Sequence, residues 1–496
     1  MIPVSVAEAA KVLGVQPIGG SSVSPDGVAL TPGGRTPPRP TGGNVTLTSL
    51  TVDSRMVTDG SLFIALPGER VDGHDFVPAA RDRGAAAVLV ARPVDSGLSL
   101  VVPDPLAALG QLARDQVDRG RAGGMRVLAV TGSVGKTSTK DLLAQLLEPS
   151  APTVAPAGNL NNELGLPLTV ARIDGGTRFL VAEMGARGVG HIAYLCQIAP
   201  PDLALVLNVG VAHVGEFGDK AKIAAAKGEL VEALPSTGVA VLNADDPLVW
   251  PMRFRTVAPA IAFGVGDEPA CDRACWASDL VSDQLGRYGF TLHDRLDAES
   301  EDKVEIQLQL SGRHQVGNAV AAAAAARAVG VPLDAVADSL RAARSRSRWR
   351  MELHTRPDGA LVVNDAYNAN PESMRAALDT LAELGRSRPG GRTWAILGDM
   401  LELGELAAGE HEALGRYLAQ IGIDRLVALG RQAATVVGVA RATGLEDSAA
   451  VVAADKSEAA AIVLGGLGPA DVVLVKASRG LALDTVAEQI LHQDRA

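Results

Sequence analysis

The sequence is poor in cysteine, has no excess of basic charge and contains no long apolar run. Its three cysteines, Cys196, Cys271 and Cys275, are an odd number that makes no disulfide framework and fits a reducing cytoplasm. The Cys271 and Cys275 pair has neither a second pair nor a nearby histidine to complete a tetrahedral site, so a structural role is expected rather than zinc. Lys and Arg number 46 against 57 Asp and Glu, a net charge of −11. That balance argues against a general affinity for nucleic acid or anionic lipid, and any anionic ligand has to be captured by local basic clusters. Residues 1–14 lack the basic start and long apolar stretch of an export signal. No run of about 20 apolar residues is available to span a membrane. What is present is ample core material: 47% of the 496 residues are hydrophobic and 21% charged. The low-hydrophobicity signature of disorder is missing, and the length predicts two to four compact units.

Along the chain, residues 17–46 are rich in Gly, Ser, Pro and Thr and read as a loop or a poorly ordered hairpin inside the first domain. A boundary is expected near residue 105, after Pro103 and Pro105. Beyond it, short apolar runs (127–130, 179–182, 203–207, 239–242) alternate with helical patterns, the signature of βαβ units and a mostly parallel sheet. Residues 276–310 show alternating segments that suggest an antiparallel edge, and 319–326 form a helix by alanine propensity. A second α/β series starts near residue 345, with strands expected at 360–363, 393–397, 426–429 and 472–475. The expected organisation is therefore three α/β domains, 1–104, 105–344 and 345–496: a central P-loop domain with a mostly parallel sheet, and a C-terminal Rossmann-like domain.

The strongest chemical signal lies between a strand and a helix, in Gly132, Ser133, Val134, Gly135, Lys136, Thr137 and Ser138. Backbone amides and a helix N-terminus at this position cradle phosphate oxygens, Lys136 reaches the β and γ phosphates, and the Thr137 hydroxyl suits Mg2+. Glu183 follows one parallel strand and His213 another. Ligands bind outside the carboxyl ends of such strands, so both residues are candidates to converge on Thr137 as metal ligands, with phosphates and water completing an octahedron. Lys227 sits in a helical stretch (220–230), where lysines are usually solvated. Arg341, Arg344, Arg346, Arg348 and Arg350 form a series at the second boundary, and residue chemistry alone does not choose a phosphate clamp among them.

The loop Thr131-Gly-Ser-Val-Gly-Lys-Thr-Ser138 is similar to the shortened ATP-binding signature of the Mur ligase family, the ATP-dependent amide-bond formers of peptidoglycan precursor synthesis. More selective matches are Gly158-Asn-Leu-Asn-Asn-Glu-Leu-Gly-Leu-Pro167, Asn364-Asp-Ala-Tyr-Asn-Ala-Asn-Pro371, and Gly398-Asp-Met-Leu-Glu-Leu-Gly404 with His411. Asp53-Ser-Arg55, Leu62-Phe63 and Asp72-Gly-His74 resemble the family's uridine-nucleotide domain. Together these matches run from Thr51 to Arg479. The resemblance implies ATP and Mg2+ as cofactors, with UDP-N-acetylmuramoyl-tripeptide and D-alanyl-D-alanine as the partners joined through an acyl phosphate, in a cytoplasmic monomer.

By the same resemblance, Lys136, Lys227 and His213 are catalytic, and Lys227 aligns with a lysine that some relatives carry as a carbamate. Thr137, Glu183 and His213 hold metal. Asn318 lies near adenine, while Arg350 and Asp365 reach the phosphates and ribose. Asp53, Ser54 and Arg55 hold the uridine diphosphate, Asn161 and Asn162 lie nearer the muramoyl peptide, and Asn368 and Asn370 complete the substrate set. Two positions depart from the family pattern: Asn364 stands where some relatives have an acid, and Trp349 where a glycine is common. A diamino-acid-adding relative or a folylpolyglutamate synthase-like protein is the alternative among enzymes, and the Asn368-Ala-Asn370-Pro371 segment argues against both. A P-loop switch that turns over ATP without substrate is the alternative from another class.

Overall fold

The computed structural model describes residues 1–19, 45–68, 71–94, 97–211, 214–296 and 300–492. Most of the segment 17–46 lies outside them, and so does His213. Two compact units result: Met1–Val127 with Ala151–Met184 and Tyr194–Pro200, and Leu128–Ser150 with Gly185–Ala193 and Pro201–Ala496. The helix Pro105–Ala122 goes with the N-terminal strands because Leu109 and Leu112 share an apolar cluster with Leu50, Leu62 and Leu89.

In the first unit, strands Ser49–Thr51, Ser61–Ile64, Ala87–Val90 and Ser99–Val101 lie side by side in chain order, all parallel. The runs Ser61–Ile64 and Ala87–Val90 are buried at every position, as expected of a parallel sheet covered on both faces. Alternation divides their side chains. Leu62, Ile64 and Leu89 join Val6 and Ala9 of helix Val6–Leu13, whereas Phe63, Val88 and Val90 meet Val77 and Ala80 of helix Val77–Asp82. Helix Val6–Leu13 starts on a capping box between Ser5 and Glu8 and stops at Gly14, whose φ of +67° suits glycine. Thr153–Val154 pairs in parallel with Phe179–Glu183 in the same unit.

In the second unit, one set of strands runs in the order Asp302–Ser311, Arg287–Arg295, Ala274–Ser282, Ala260–Val265, Val239–Asn243, Leu203–Val206, Arg126–Thr131. The pairings of the first three are antiparallel, matching the alternating pattern in the sequence, and the rest are parallel. Helix His314–Ala328 packs against helix Lys136–Leu147. It is buried continuously from Ala319 to Ala326, where a larger side chain would hold the two helices apart.

A further sheet in this unit has the order Glu352–Thr355, Leu361–Asn364, Val472–Lys476, Thr393–Leu397, Arg425–Ala428, Ala450–Val452, parallel except for the first pair. Val363, Leu397 and Leu474 join helices Pro371–Arg386, Ala407–Gln420 and Ala433–Ala442. Val362, Ile396 and Val475 join helices Lys456–Gly466 and Asp484–His492. This is a doubly wound α/β arrangement, which gathers loops at the strand carboxyl ends.

Candidate functional site

The strand Arg126–Thr131 delivers the chain to the loop Gly132–Gly135, and helix Lys136–Leu147 follows at once. Gly135 has φ +83°, and a Cβ there would lie 2.5 Å from Asn318 Oδ1. Both its conformation and its surroundings therefore demand glycine. Asn208, beyond the strand Leu203–Val206, braces the loop: its Oδ1 accepts from the amides of Ser133 and Val134, each at 2.9 Å, and its Nδ2 donates to Val134 O at 3.1 Å. Lys136 Nζ donates to Gly132 O at 2.7 Å and Ser133 O at 3.3 Å. Thr139 Oγ1 donates to Asn318 Oδ1 at 3.2 Å, so Asn318 is part of the same cluster.

Arg350, from beyond residue 345, reaches this loop, and its Nη2 donates to Thr137 Oγ1 at 3.2 Å. Its guanidinium also lies 4.2 Å over the ring of Tyr367. The residues on either side carry left-handed backbone, Trp349 at φ +59° and Met351 at +51°. Such conformations cost a large side chain on the order of 1 kcal/mol each and persist where neighbours over-determine them. The neighbours are identifiable. Asp365 Oδ1 accepts from Met351 N at 3.1 Å, Trp349 O accepts from Tyr367 N at 3.2 Å, and Arg479 stacks 4.2 Å over the Trp349 ring. The positive φ also gives a reason for the glycine common at this position in the sequence pattern.

Asp365 has a second partner besides Met351 N. Its Oδ2 pairs with Lys476 Nζ at 2.6 Å, and Lys476 also donates to Asn368 O at 2.8 Å. Burial holds the Lys476 ammonium below its usual range against the opposing pull of Asp365. Asn370 is the N-cap of helix Pro371–Arg386, accepting from Ser373 N at 2.8 Å, while the Asn368 side chain is turned to its own neighbour, Ala369 N. Arg346 is exposed and pairs with Glu148 at 2.5 Å and 2.6 Å.

Lys227 corrects the expectation of a solvated lysine. It is buried in helix Lys220–Glu232, and its pKa is lowered well below the ordinary value, first by burial and then by the charge of Lys136. Two residues on, Glu229 caps the start of another helix, accepting from Gly190 N at 2.6 Å and Ala193 N at 2.9 Å. Gly228 leaves room for the Arg255 guanidinium, whose Nη2 donates to Ala225 O at 3.0 Å.

In the first unit, Asp53 caps the short helix Ser54–Met56 through Arg55 N at 2.9 Å and pairs with the Arg55 guanidinium at 2.7 Å. These bonds lower its pKa to about 2, so it is a carboxylate at neutral pH. Asn161 Nδ2 donates to Glu183 Oε1 at 2.7 Å, and Asn162 Oδ1 accepts from Gly165 N at 2.8 Å. Glu183 is buried at the end of its strand. A buried carboxylate such as that of Glu183 is a hard oxygen donor of the kind Mg2+ prefers, and so, in the other unit, is the Thr137 hydroxyl. Reading of the sequence missed Asn208 and Lys476. An asparagine two residues past a strand and a lysine ending one carry no local mark of their partners.

Three family models match the chain: Mur ligase family, catalytic domain, over residues 46–116; Mur ligase middle domain over 130–326; and Mur ligase, glutamate ligase domain, over 349–479. The UDP-N-acetylmuramoyl-tripeptide–D-alanyl-D-alanine ligase of Mycobacterium tuberculosis is 43% identical over 478 residues, covering 89% of this chain and 92% of the relative. A crystal structure of MurF from Acinetobacter baumannii superposes with a TM-score of 0.83 at 29% identity, over 99% of each chain. MurF ligase from Thermotoga maritima in complex with ADP gives 0.74 at 29% identity, covering 89% of this chain and 96% of that one.

Proposed function

The chain belongs to the Mur ligase family, and on that premise we propose that it joins D-alanyl-D-alanine to UDP-N-acetylmuramoyl-tripeptide with cleavage of ATP, in peptidoglycan precursor synthesis. The observation that carries the reading is Arg350 donating to Thr137. A residue from beyond 345 touches the phosphate loop, as a ligase requires if ATP and the incoming amine are to meet. On this reading 1–104 binds the uridine nucleotide through Asp53, Ser54 and Arg55, 105–344 binds ATP, and 345–496 binds the dipeptide. The enzyme works as a monomer in the cytoplasm. Among the described residues no helix is long and apolar enough to cross a membrane.

A carboxylate oxygen of the tripeptide attacks the γ-phosphorus, the bond to the β-phosphate oxygen breaks, and ADP leaves. The amine of D-alanyl-D-alanine then attacks the acyl carbon, phosphate departs, and the nitrogen loses its proton. Two anions meet in the first step, and positive charge around the γ-phosphate offsets their repulsion. Lys136, on exchanging its loop carbonyls for phosphate oxygens, supplies part of that charge, and Arg350 another part. Mg2+ would be held by Thr137, Glu183 and His213, and would neutralise phosphate charge. Lys227, whose burial favours the neutral amine, would carry a carbamate. The tripeptide labelled with 18O in its terminal carboxylate tests the intermediate: one labelled oxygen should appear in the released phosphate. Phosphate free of label would contradict an acyl phosphate.

A further inference from the structure

The segment after the strand Leu203–Val206 is hydrogen-bonded in two directions. Toward the phosphate loop, Asn208 Oδ1 takes the amides of Ser133 and Val134, and Gly210 N donates to Ser133 Oγ at 2.8 Å. Toward the C-terminal sheet, Val211 N donates to Glu372 Oε1 at 2.8 Å. Glu372 lies in the first turn of helix Pro371–Arg386, whose start is fixed by the reciprocal bonds of Asn370 and Ser373. The approach is close: a Cβ on Gly210 would lie 2.6 Å from Glu372 Oε1, so a glycine is what lets the carboxylate reach Val211. The other oxygen, Oε2, is buried without a hydrogen-bond partner among the described residues. A carboxylate held in this way loses part of its hydration, and the surrounding packing has to impose the position.

We propose that Glu372 is a positioning residue for the ATP site. Through Val211 and Gly210 it fixes Ser133, so docking of helix Pro371–Arg386 and the set of the phosphate loop are one event. The inference rests on reading Gly132–Ser138 as the ATP site. Its contact is separate from that of Arg350, which meets the loop at Thr137 from a different segment. Nothing about residues 371–372 in the sequence marks this role, because the partner amide lies 161 residues away in the chain.

The test measures binding of a non-hydrolysable ATP analogue to the full chain by calorimetry, alongside steady-state kinetics, for Glu372→Ala, Glu372→Gln, Gly210→Ala and the double variant Gly210→Ala with Glu372→Ala. Loss of one charge-assisted bond predicts about tenfold weaker analogue binding in Glu372→Ala. The KM for ATP should rise and the KM for the nucleotide peptide stay unchanged. Glu372→Gln keeps an acceptor facing Val211 and should recover most of the loss. Gly210→Ala should weaken binding, and adding Glu372→Ala should bring no further loss, because both act on one contact. Unfolding midpoints of all variants separate this effect from general destabilisation. Binding within twofold of the unaltered protein in Glu372→Ala, a glutamine variant as weak as alanine, or additive losses in the double variant would overturn the inference. Analogue binding needs neither peptide, so an error in the assigned substrates leaves this series readable. If the unaltered chain fails to bind the analogue, the ATP reading falls and takes the inference with it.

Discussion

Gly135 illustrates how single residues set the site. Its left-handed backbone would cost an alanine about 1 to 2 kcal/mol, and the added Cβ would also press on Asn318 Oδ1 at 2.5 Å. Gly135→Ala should therefore weaken ATP-analogue binding at least about tenfold, read by calorimetry, while the chain still folds. Arg350→Ala should lower turnover by about a hundredfold, the usual loss of one donor aimed at developing charge, with little change in the unfolding midpoint. For Lys227, depression of its pKa by burial raises the neutral fraction available to carbon dioxide. Carbon-13 NMR with labelled bicarbonate should show a carbamate signal that disappears in Lys227→Arg, and absence of the signal would refute the modification. Lys136 and Thr137 were legible in the sequence because strand, glycine turn and helix adjoin them. Arg350 could not be told from its neighbouring arginines on residue chemistry, since it is set apart by left-handed flanks and by Tyr367 and Asp365, all products of tertiary structure. The burial of Lys227 was hidden for the same reason.

Elements were easier to read than their partners. Runs such as Val472–Lys476 are buried throughout and bounded by turns, so the strands stood within a residue or two of expectation. The helix His314–Ala328 begins five residues before its alanine run, because Gln315 and Asn318 are polar yet buried and bonded to each other at 3.0 Å. What no local pattern records is how elements far apart in the chain join. Tyr288, on strand Arg287–Arg295, donates to Glu383 of helix Pro371–Arg386 at 2.9 Å. Burial, then Glu383, raises its pKa from 10.0 to about 12. The folded state thus favours the neutral phenol. The contribution is complete below pH 10 and is lost as pH rises through about 12. Denaturant unfolding of the unaltered chain and of Tyr288→Phe across that range should show a steeper alkaline loss in the former, and equal slopes would contradict the assignment.

At the scale of the whole molecule, the residues proposed to bear on ATP come from widely separated stretches of chain, Lys136 and Thr137 on one side and Arg350 on the other. Catalysis is expected to need closure of 345–496 onto the ATP-binding part, which expels water from the acyl phosphate and brings the amine within about 3 to 3.5 Å of the reacting carbon. X-ray scattering should report a more compact particle with an ATP analogue and both substrates than without them. Unchanged dimensions, with normal turnover in Arg350→Ala, would rule closure out. The central claim is a ligation that consumes ATP only when both halves of the product are offered. Phosphate release, measured with UDP-N-acetylmuramoyl-tripeptide and D-alanyl-D-alanine separately and together, tests it most directly. The account predicts sustained release only with both present. Equal release with no peptide, or with a free diamino acid and the nucleotide dipeptide in their place, would contradict it.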